Sequence, residues 1–362
     1  MEIAISGIKF RNPILTAAGP TSCSGDVLLR AAKGGAGGLV TKTICPRRAQ
    51  VPHPNIACLR QGRPSEGLIN AETWSEIPYE RWLDRELKVA KSSDLAVIAS
   101  IGYTADELAF LGPKVEKAGV DGIEFSIHYI EKDIKTLTET AKALRDSVTI
   151  PIFAKMSPAV ANVKIMAKSL APIVDGFVAV NTIGPVFAMD PKTKRPLLGE
   201  PFGWLSGPPL KPIALRFIAE IASVVATPIM GVGGISSGID AVEHIMAGAS
   251  AVQICTAALF HGPEIYGRVA GELASYMDEN GYGSIDDLRG LALREKNELG
   301  EKPKIGEECN GCGICERACP AQAISIEKIG KSGRGRVSEE RCTRCGLCIS
   351  ICPVRAVSGR GP

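Results

Sequence analysis

The chain has 362 residues, of which 45% are hydrophobic and 22% charged, so it can bury a sizeable core and is neither disordered nor fibrous. A net charge of +3 without any basic run gives no indication of nucleic-acid binding. The sequence begins without a signal-peptide pattern, and no apolar stretch is long enough for a membrane span. We therefore expect a globular protein of the cytoplasm.

Short apolar runs at fairly even spacing dominate the first three quarters of the chain. A hairpin over residues 2–10, turning at Ser6 and Gly7, precedes eight predicted strands at 14–18, 38–43, 96–101, 122–127, 151–157, 176–182, 228–234 and 251–257. Helical periodicity separates them, for example at 105–118, 132–145, 210–225 and 237–247. Continuous apolar strands alternating with helices indicate an α/β fold, and eight units predict a (β/α)8 barrel.

The pattern also predicts the division into domains. Residues 1–280 form the barrel, the polar residues 281–305 form a linker, and residues 306–362 form a small second domain. Two connections, 45–74 and 183–209, are longer than a barrel requires. Both follow the carboxyl ends of strands, where barrel enzymes place their chemistry, so we expect binding loops there.

Eight cysteines in the last domain follow a repeated spacing. The runs CNGCGICERACP and CTRCGLCISICP both read C-x2-C-x2-C-x3-C-P, which is the ligand spacing of a ferredoxin with two [4Fe-4S] clusters. A zinc ribbon or a disulfide framework fits such quartets poorly. In ferredoxins of this type each fourth cysteine binds the other cluster. The predicted ligand sets are Cys309, Cys312, Cys315 and Cys352 for one cluster, and Cys319, Cys342, Cys345 and Cys348 for the other.

Three features at the ends of barrel strands predict a ligand site. Lys42 and Lys155 lie at the ends of apolar strands. Because a buried ammonium needs a partner, two such lysines favour a shared anionic ligand; the alternative is that their side chains reach solvent. The glycine cluster 231–235 ends a strand and opens a helix, as in phosphate sites of barrels, although a tight turn is the alternative. No dinucleotide-binding G-x-G-x-x-G motif follows the first strand of a βαβ unit.

The barrel resembles the dihydroorotate dehydrogenase family of FMN-dependent enzymes, most of all its ferredoxin-bearing relatives, the dihydropyrimidine dehydrogenases. The resemblance rests on NPILTAAGP (12–20), GGLVTKT (37–43), GLINAETW (67–74), GIEFSI (122–127), FAKMSP (153–158), AVNTIG (179–184), the block 190–218 with WLSGPPLKPIALRFI, GVGGI (231–235) and GASAVQICTA (248–257).

This resemblance implies FMN lying across the carboxyl ends of the strands. Positions matching those around the flavin ring and ribityl chain are Ala18, Lys42, Thr43, Ser100, Ser126, Lys155 and Val180. Positions matching those near the ribityl and phosphate groups are Gly207, Gly233, Gly234, Cys255 and Thr256. Positions matching those that hold the substrate are Lys42, Asn70, Asn181 and Thr182.

The loop after the fourth strand departs from the family. The family has E-x-N-x-S-C-P-N there, with the cysteine as base, whereas this chain has Tyr129 at the cysteine position, His128 before it and Glu131 for the last asparagine. A tyrosine is a poor base at neutral pH but a serviceable acid. We therefore expect Tyr129 or His128 to donate a proton during reduction, unless they are only packed or structural residues.

The expected activity is that of an FMN- and iron–sulfur-dependent oxidoreductase acting on a C=C or CH–CH bond, in the reductive direction. Cations in the two long connections favour an acidic substrate: Arg47, Arg48, Arg60, Arg63, Lys192, Lys194 and Arg195. The expected partner is a ferredoxin or a flavoprotein subunit that oxidises NAD(P)H, in a homo- or hetero-oligomer. The alternatives are a dihydroorotate or dihydropyrimidine dehydrogenase subunit with an altered loop, and an electron-relay subunit without catalysis.

Overall fold

The computed structural model describes residues 1–60, 62–63, 66–126, 133–294, 302–329 and 332–359. The chain folds as two units, Met1–Arg294 and Glu295–Pro362. None of the described helices is long and apolar enough to cross a membrane.

Eight parallel strands form one closed sheet in the first unit. In chain order, β1 to β8 are Ile14–Thr16, Leu39–Val40, Val97–Ile101, Gly122–Ser126, Ile152–Lys155, Gly176–Ala179, Ile229–Val232 and Ala251–Ile254. The strands from β2 to β8 pair in sequence order, and β8 pairs with β1. The amide of Thr16 closes the ring by donating to the carbonyl of Gly38 across 3.2 Å. The predicted (β/α)8 barrel is confirmed.

Helices α1 to α8 follow the eight strands, and α2 consists of three successive segments. Their bounds are Gly25–Lys33; Tyr79–Arg81, Trp82–Glu86 and Leu87–Lys91; Ala105–Lys117; Ile134–Ser147; Val163–Leu170; Lys211–Ala222; Gly238–Met246; and Ile265–Glu279. Polar caps fix where they begin; Thr104 and Glu107, for example, form a reciprocal capping box before α3. Leu108 and Leu111 then bury the inner face of that helix.

Alternate strand residues point into the barrel. On β5, Phe153 belongs to the interior cluster, whereas Ile152 and Ala154 pack outwards with the helices. Lys155 lies two residues beyond Phe153 and therefore on the inward face. The same alternation brings Glu124 of β4 and Gln253 of β8 inside the barrel, where both are buried.

The predicted hairpin is present as strands Ile3–Ile5 and Ile8–Phe10. Its two turn residues, Ser6 at φ 50° and Gly7 at φ 84°, adopt the left-handed conformation that two-residue hairpin turns require. Its buried side chains join the interior cluster of the barrel.

The two long connections pair with each other, which the sequence pattern does not show. Their strands form a four-stranded antiparallel sheet in the order Ile183–Phe187, Phe202–Ser206, Leu68–Asn70 and Ile56–Cys58. A short hairpin of Met189–Asp190 and Arg195–Pro196 extends from it. A small apolar cluster around Ile69 and Leu198 holds this sheet together. The regions predicted as binding loops therefore contain four paired strands, with loops between them.

The first half of the predicted linker belongs to the barrel unit instead. Residues of 281–294 form two short helices, Ile285–Leu288 and Leu291–Arg294. Ile285 and Leu288 are buried in the core of the barrel unit. Tyr282 and Leu291 also pack against this core, so the barrel unit extends to Arg294.

The second unit is a small α+β structure with internal repetition. Its helices are Ile314–Ala318 and Leu347–Ser350, and its antiparallel strand pairs are Lys304–Ile305 with Val357–Ser358 and Ile324–Ile329 with Ser332–Val337. Each helix begins after a left-handed glycine, Gly313 at φ 70° and Gly346 at φ 77°. The expected two-cluster ferredoxin domain is confirmed.

Candidate active site and cluster sites

A cavity of about 270 Å³ opens at the carboxyl ends of the barrel strands. It collects most of the residues that the family resemblance singles out. Those lining it are Ala18, Thr43, Ser126, Lys155, Val180, Gly207, Gly233, Gly234, Cys255 and Thr256, together with Asn70, Asn181 and Thr182. Lys42 and Ser100 are not among the described lining residues. Ser100 lies behind the wall, with its hydroxyl 3.0 Å from that of Thr43.

Lys155 is held in the barrel by a buried acid. Its Nζ lies 3.1 Å from Oε1 of Glu124, whose other oxygen accepts a hydrogen bond from Nε2 of Gln253 at 3.0 Å. The side chains of Lys155 and Glu124 are 6% and 1% exposed. The three residues come from β5, β4 and β8, so the closure of the barrel brings them together.

Lys42 has a similar but separate partner. Its Nζ donates to Oε2 of Glu72, and Nδ2 of Asn55 donates to Oε1 of the same carboxylate. Each lysine thus has its own protein carboxylate, and the shared anionic ligand stays a prediction. Sequence reasoning missed Glu72, although it lies two residues after Asn70 in a stretch already singled out, which marks it as a residue of the barrel mouth.

The polar residues predicted to hold substrate are oriented by the protein. Nδ2 of Asn181 donates to the hydroxyl of Ser126 at 3.2 Å, and its Oδ1 accepts the amide of Thr182 at 2.8 Å. Nδ2 of Asn70 donates to the carbonyl of Trp204 at 3.1 Å. These contacts fix the side-chain amides at the cavity wall and leave each one further hydrogen-bonding capacity.

The other end of the cavity is a glycine cradle. Gly233 and Gly234 have φ values of 130° and 77°, and a Cβ on Gly234 would lie 2.6 Å from Cβ of Lys211. Burial acts to raise the pKa of Asp240, but hydrogen bonds from Lys211, Ser236 and Ser237 outweigh it and hold that pKa below its usual range. The segment after β7 is thereby fixed, with the backbone exposed to the cavity.

The residues present fit FMN. A flat ring needs apolar walls and a few donors, and its phosphate needs a glycine-rich turn. The cavity offers Ala18 and Val180 as apolar wall, Lys155 as donor and Gly233–Gly234 as cradle. In addition, Oε1 of Gln253 is buried without a hydrogen-bond partner among the described atoms, which leaves an acceptor for a ligand N–H.

The cations of the long connections do not surround this cavity. Arg60 and Arg63 lie 3.7 Å and 3.1 Å from Glu66, and the guanidinium of Arg47 stacks 5.0 Å above the ring of Trp74. None of the seven is among the described residues that line the cavity. The expected attraction for an acidic substrate therefore finds no support in the described part of the chain. His128 and Tyr129, the predicted proton donors, and Glu131 lie outside the described residues.

Four of the eight cysteines of the second unit line a small cavity. Cys319, Cys342, Cys345 and Cys348 all line it, which is the set predicted for one cluster, including the cysteine from the other run. No group of three or more His, Cys, Asp or Glu among the described residues lies close enough together to hold a single metal ion.

The two runs hold their fourth cysteines in the same way. Sγ of Cys319 accepts the amide of Ala323 at 3.2 Å, and Sγ of Cys352 accepts the amide of Ala356 at 3.3 Å. Sγ of Cys309 accepts the amide of Gly335 at 3.4 Å. Hydrogen bonds from backbone amides to cysteine sulfurs stabilise negative charge on a cluster and tune its reduction potential. These cysteines therefore fit the role of iron–sulfur ligands.

Known proteins match both units. Residues 1–277 match the family model of dihydroorotate dehydrogenase, and residues 308–356 match that of a 4Fe-4S dicluster domain. A Pyrococcus abyssi protein named dihydroorotate dehydrogenase B (NAD(+)), catalytic subunit, is 36% identical over 307 residues, covering 81% of this chain and 99% of the relative. A Thermoplasma volcanium protein of the same name is 34% identical over 305 residues, covering 81% of this chain and 99% of the relative. A Methanocaldococcus jannaschii protein of that name is 34% identical over 306 residues, covering 81% of this chain and 98% of the relative. The chain therefore belongs to the dihydroorotate dehydrogenase family and is an oxidoreductase of CH–CH groups that uses FMN and two [4Fe-4S] clusters.

Proposed function

We propose that this chain is the catalytic subunit of a heteromeric reductase, which receives electrons through its two clusters and reduces a C=C bond beside FMN. The observation that carries the proposal is the presence of the two cysteine quartets in the same chain as the barrel cavity. Two clusters in series transfer electrons one at a time, so a partner protein must deliver or remove these electrons.

The partner is a flavoprotein subunit that oxidises a nicotinamide cofactor. The relatives are named catalytic subunits of an NAD(+)-type enzyme, and this chain has no dinucleotide-binding motif of its own. A soluble ferredoxin is the other donor compatible with the clusters. Purification with a flavin- and NADH-reactive second chain supports the first donor; reduction by ferredoxin alone supports the second.

Different residues of the chain would bind the cofactor, orient the substrate and donate a proton. When bound, FMN supplies a ring that exchanges hydride with substrate and single electrons with the clusters. Lys155, fixed by Glu124, would hold the cofactor ring, and Asn70 and Asn181 would orient the substrate. A proton must join the hydride for a C=C bond to become CH–CH, and Tyr129 or His128 would donate it to the second carbon.

Substitution of Tyr129 tests whether this residue donates the proton. Reduced protein should be reoxidised by an activated alkene, such as 2-cyclohexen-1-one or uracil, in stopped-flow measurements of flavin absorbance. Tyr129→Phe should slow this reoxidation at least tenfold without loss of FMN, because the proton donor is removed. The matched control is Tyr282→Phe, since Tyr282 does not line the cavity. Unchanged reoxidation in Tyr129→Phe would remove this residue from the mechanism.

The relatives' names favour a second candidate function, oxidation of dihydroorotate. Anaerobic addition of dihydroorotate to the oxidised protein should bleach the flavin if this candidate is correct, and should leave it unchanged if the reductase proposal is correct. Reduced protein that no alkene or pyrimidine reoxidises would instead indicate an electron-relay subunit.

A further inference from the structure

The two cysteine runs of the second unit are repeats that differ in charge. Aligning the first run, CNGCGICERACP, with the second run, CTRCGLCISICP, places Arg341 opposite Glu308 and Arg344 opposite Gly311. Both arginines are exposed. The first run therefore has an acid and a glycine at the positions where the second run has two cations. Because the cysteine ligands are alike, this difference indicates a different role for the surface around each run.

The glycine of the first run is explained by packing. Gly311 has a left-handed φ of 68°, and a Cβ there would lie 2.6 Å from Cα of Gly333 in the strand Ser332–Val337. The amide of Gly335 in the same strand donates to Sγ of Cys309 at 3.4 Å. The strand therefore packs directly on the first run, and only glycine fits between them.

The arginine of the second run has no such explanation. Arg344 has a φ of 58°, a left-handed conformation that strains any residue with a Cβ. It lines the small cavity of the second cysteine set, together with Leu347, which is 40% exposed. A glycine would relieve the strain at this exposed position. The chain instead keeps a long cationic side chain next to the predicted cluster, which indicates a use for that side chain.

The two cations of the second run are available to a partner. Neither Arg341 nor Arg344 has a carboxylate partner in the described part of the chain. Glu339 pairs with Lys302 at 3.1 Å, which leaves Glu340 as the neighbouring acid, so cations exceed free acids in this segment. Unpaired cations attract an acidic protein surface and steer its approach, and an exposed leucine adds an apolar contact.

We propose that Arg341, Arg344 and Leu347 form a docking surface, through which the second run receives electrons from a carrier protein with an acidic face. One electron passes from the carrier to an iron of the cluster, which changes from ferric to ferrous while the carrier is oxidised, and no covalent bond forms or breaks. Electron-transfer complexes bury small interfaces, so a few side chains carry much of the contact. The proposal rests on the proposed function only in that another protein supplies the electrons.

Two carriers of opposite charge test this surface: flavodoxin, which is acidic, and cytochrome c, which is basic. The anisotropy of fluorophore-labelled, oxidised flavodoxin measures its binding to the full chain without electron transfer. Stopped-flow absorbance of each carrier measures electron transfer from reduced flavodoxin to the chain, and from the dithionite-reduced chain to cytochrome c. In the native chain, flavodoxin binding should weaken at least tenfold between about 20 mM and about 500 mM salt.

Removal of the cations should affect the two carriers differently. At low salt, Arg344→Gly should weaken flavodoxin binding and slow its electron transfer at least threefold, and adding Arg341→Gln should bring both effects to at least tenfold. At high salt these differences should disappear. Reduction of cytochrome c should be unchanged or faster, because repulsion between like charges is removed. A general defect of the cluster would instead slow both carriers.

Three comparisons make the result decisive. Arg344→Gly copies the residue of the first run, so iron content should persist, and Arg341→Gln alone, which leaves the backbone at Arg344 unchanged, should weaken flavodoxin binding about threefold. Arg344→Lys keeps the charge and should stay within about twofold of the native chain. The control Arg336→Gln removes one charge elsewhere in the same unit, where Arg336 lies 3.0 Å from Glu327, and should affect neither carrier.

The proposal is overturned if the native chain does not bind flavodoxin or binds it equally at all salt concentrations. It is also overturned if Arg336→Gln has the effect of Arg344→Gly, or if Arg344→Gly slows both carriers alike. The docking surface stands without the proposed function if the carriers respond as expected but no alkene reoxidises the reduced protein.

Discussion

The buried pair of Lys155 and Glu124 allows a quantitative prediction for the substitution Lys155→Met. Methionine fills the volume of the lysine stem but leaves the carboxylate of Glu124 without its cation. Breaking a buried ion pair by removing one partner costs about 3–5 kcal/mol, whereas exposed pairs are worth about 0–1 kcal/mol. Gln253 still donates to Glu124 at 3.0 Å, so we expect a loss near the lower end, about 3 kcal/mol.

Tryptophan fluorescence measures this loss in the barrel unit alone, because all three tryptophans of the chain, at 74, 82 and 204, lie in that unit. The free energy of unfolding comes from linear extrapolation of urea titrations, at saturating FMN and again without FMN. A loss seen without FMN reports the ion pair itself, and any additional loss with FMN reports cofactor binding.

Two further variants make the result decisive. Lys135→Met is the matched control, since Lys135 lies 3.9 Å from Glu139 with both side chains largely exposed, and it should cost less than about 0.5 kcal/mol. Adding Glu124→Gln to Lys155→Met should restore at least half of the lost stability, because no buried charge then remains. A loss below about 1 kcal/mol in Lys155→Met, or no recovery in the double variant, would refute the reasoning.

Two other predictions concern the clusters and the stability of the barrel in acid. Cys319→Ser should lower the iron content from about eight to about four atoms per chain, because Cys319 completes the second cluster. The control Cys58→Ser should leave the iron content unchanged. Equal iron content in both variants would contradict the ligand assignment. Burial lowers the pKa of His244, so below about pH 6.5 the unfolded chain takes up a proton that the folded chain does not. The free energy of unfolding should therefore fall on going from pH 7.5 to pH 5.5, by at most about 1.4 kcal/mol per pH unit from this group. Urea titrations at both pH values should show a smaller fall in His244→Gln, whereas exposed His261→Gln should behave like the native chain; an equal fall in all three chains would exclude this origin.

The barrel could be predicted from local patterns because each strand and helix carries its own periodicity. The four-stranded sheet at the mouth could not be, because it pairs residues as distant as Asn70 and Trp204 through strands of only three to five residues. The same limit applies to the two lysines. The sequence indicates that Lys42 and Lys155 need partners, but Glu72 and Glu124 are brought to them only by the closed fold.

Identity to relatives and choice of substrate depend on different residues. The 36% identity to the Pyrococcus abyssi protein extends over 307 residues, most of which build the barrel and the cofactor cavity. Substrate choice depends on the few side chains at the mouth, where a single buried charge can change affinity by orders of magnitude. Glu72 is one of the described residues there. Family membership therefore determines the cofactors and the type of bond that reacts, whereas the side chains at the mouth determine which molecule reacts.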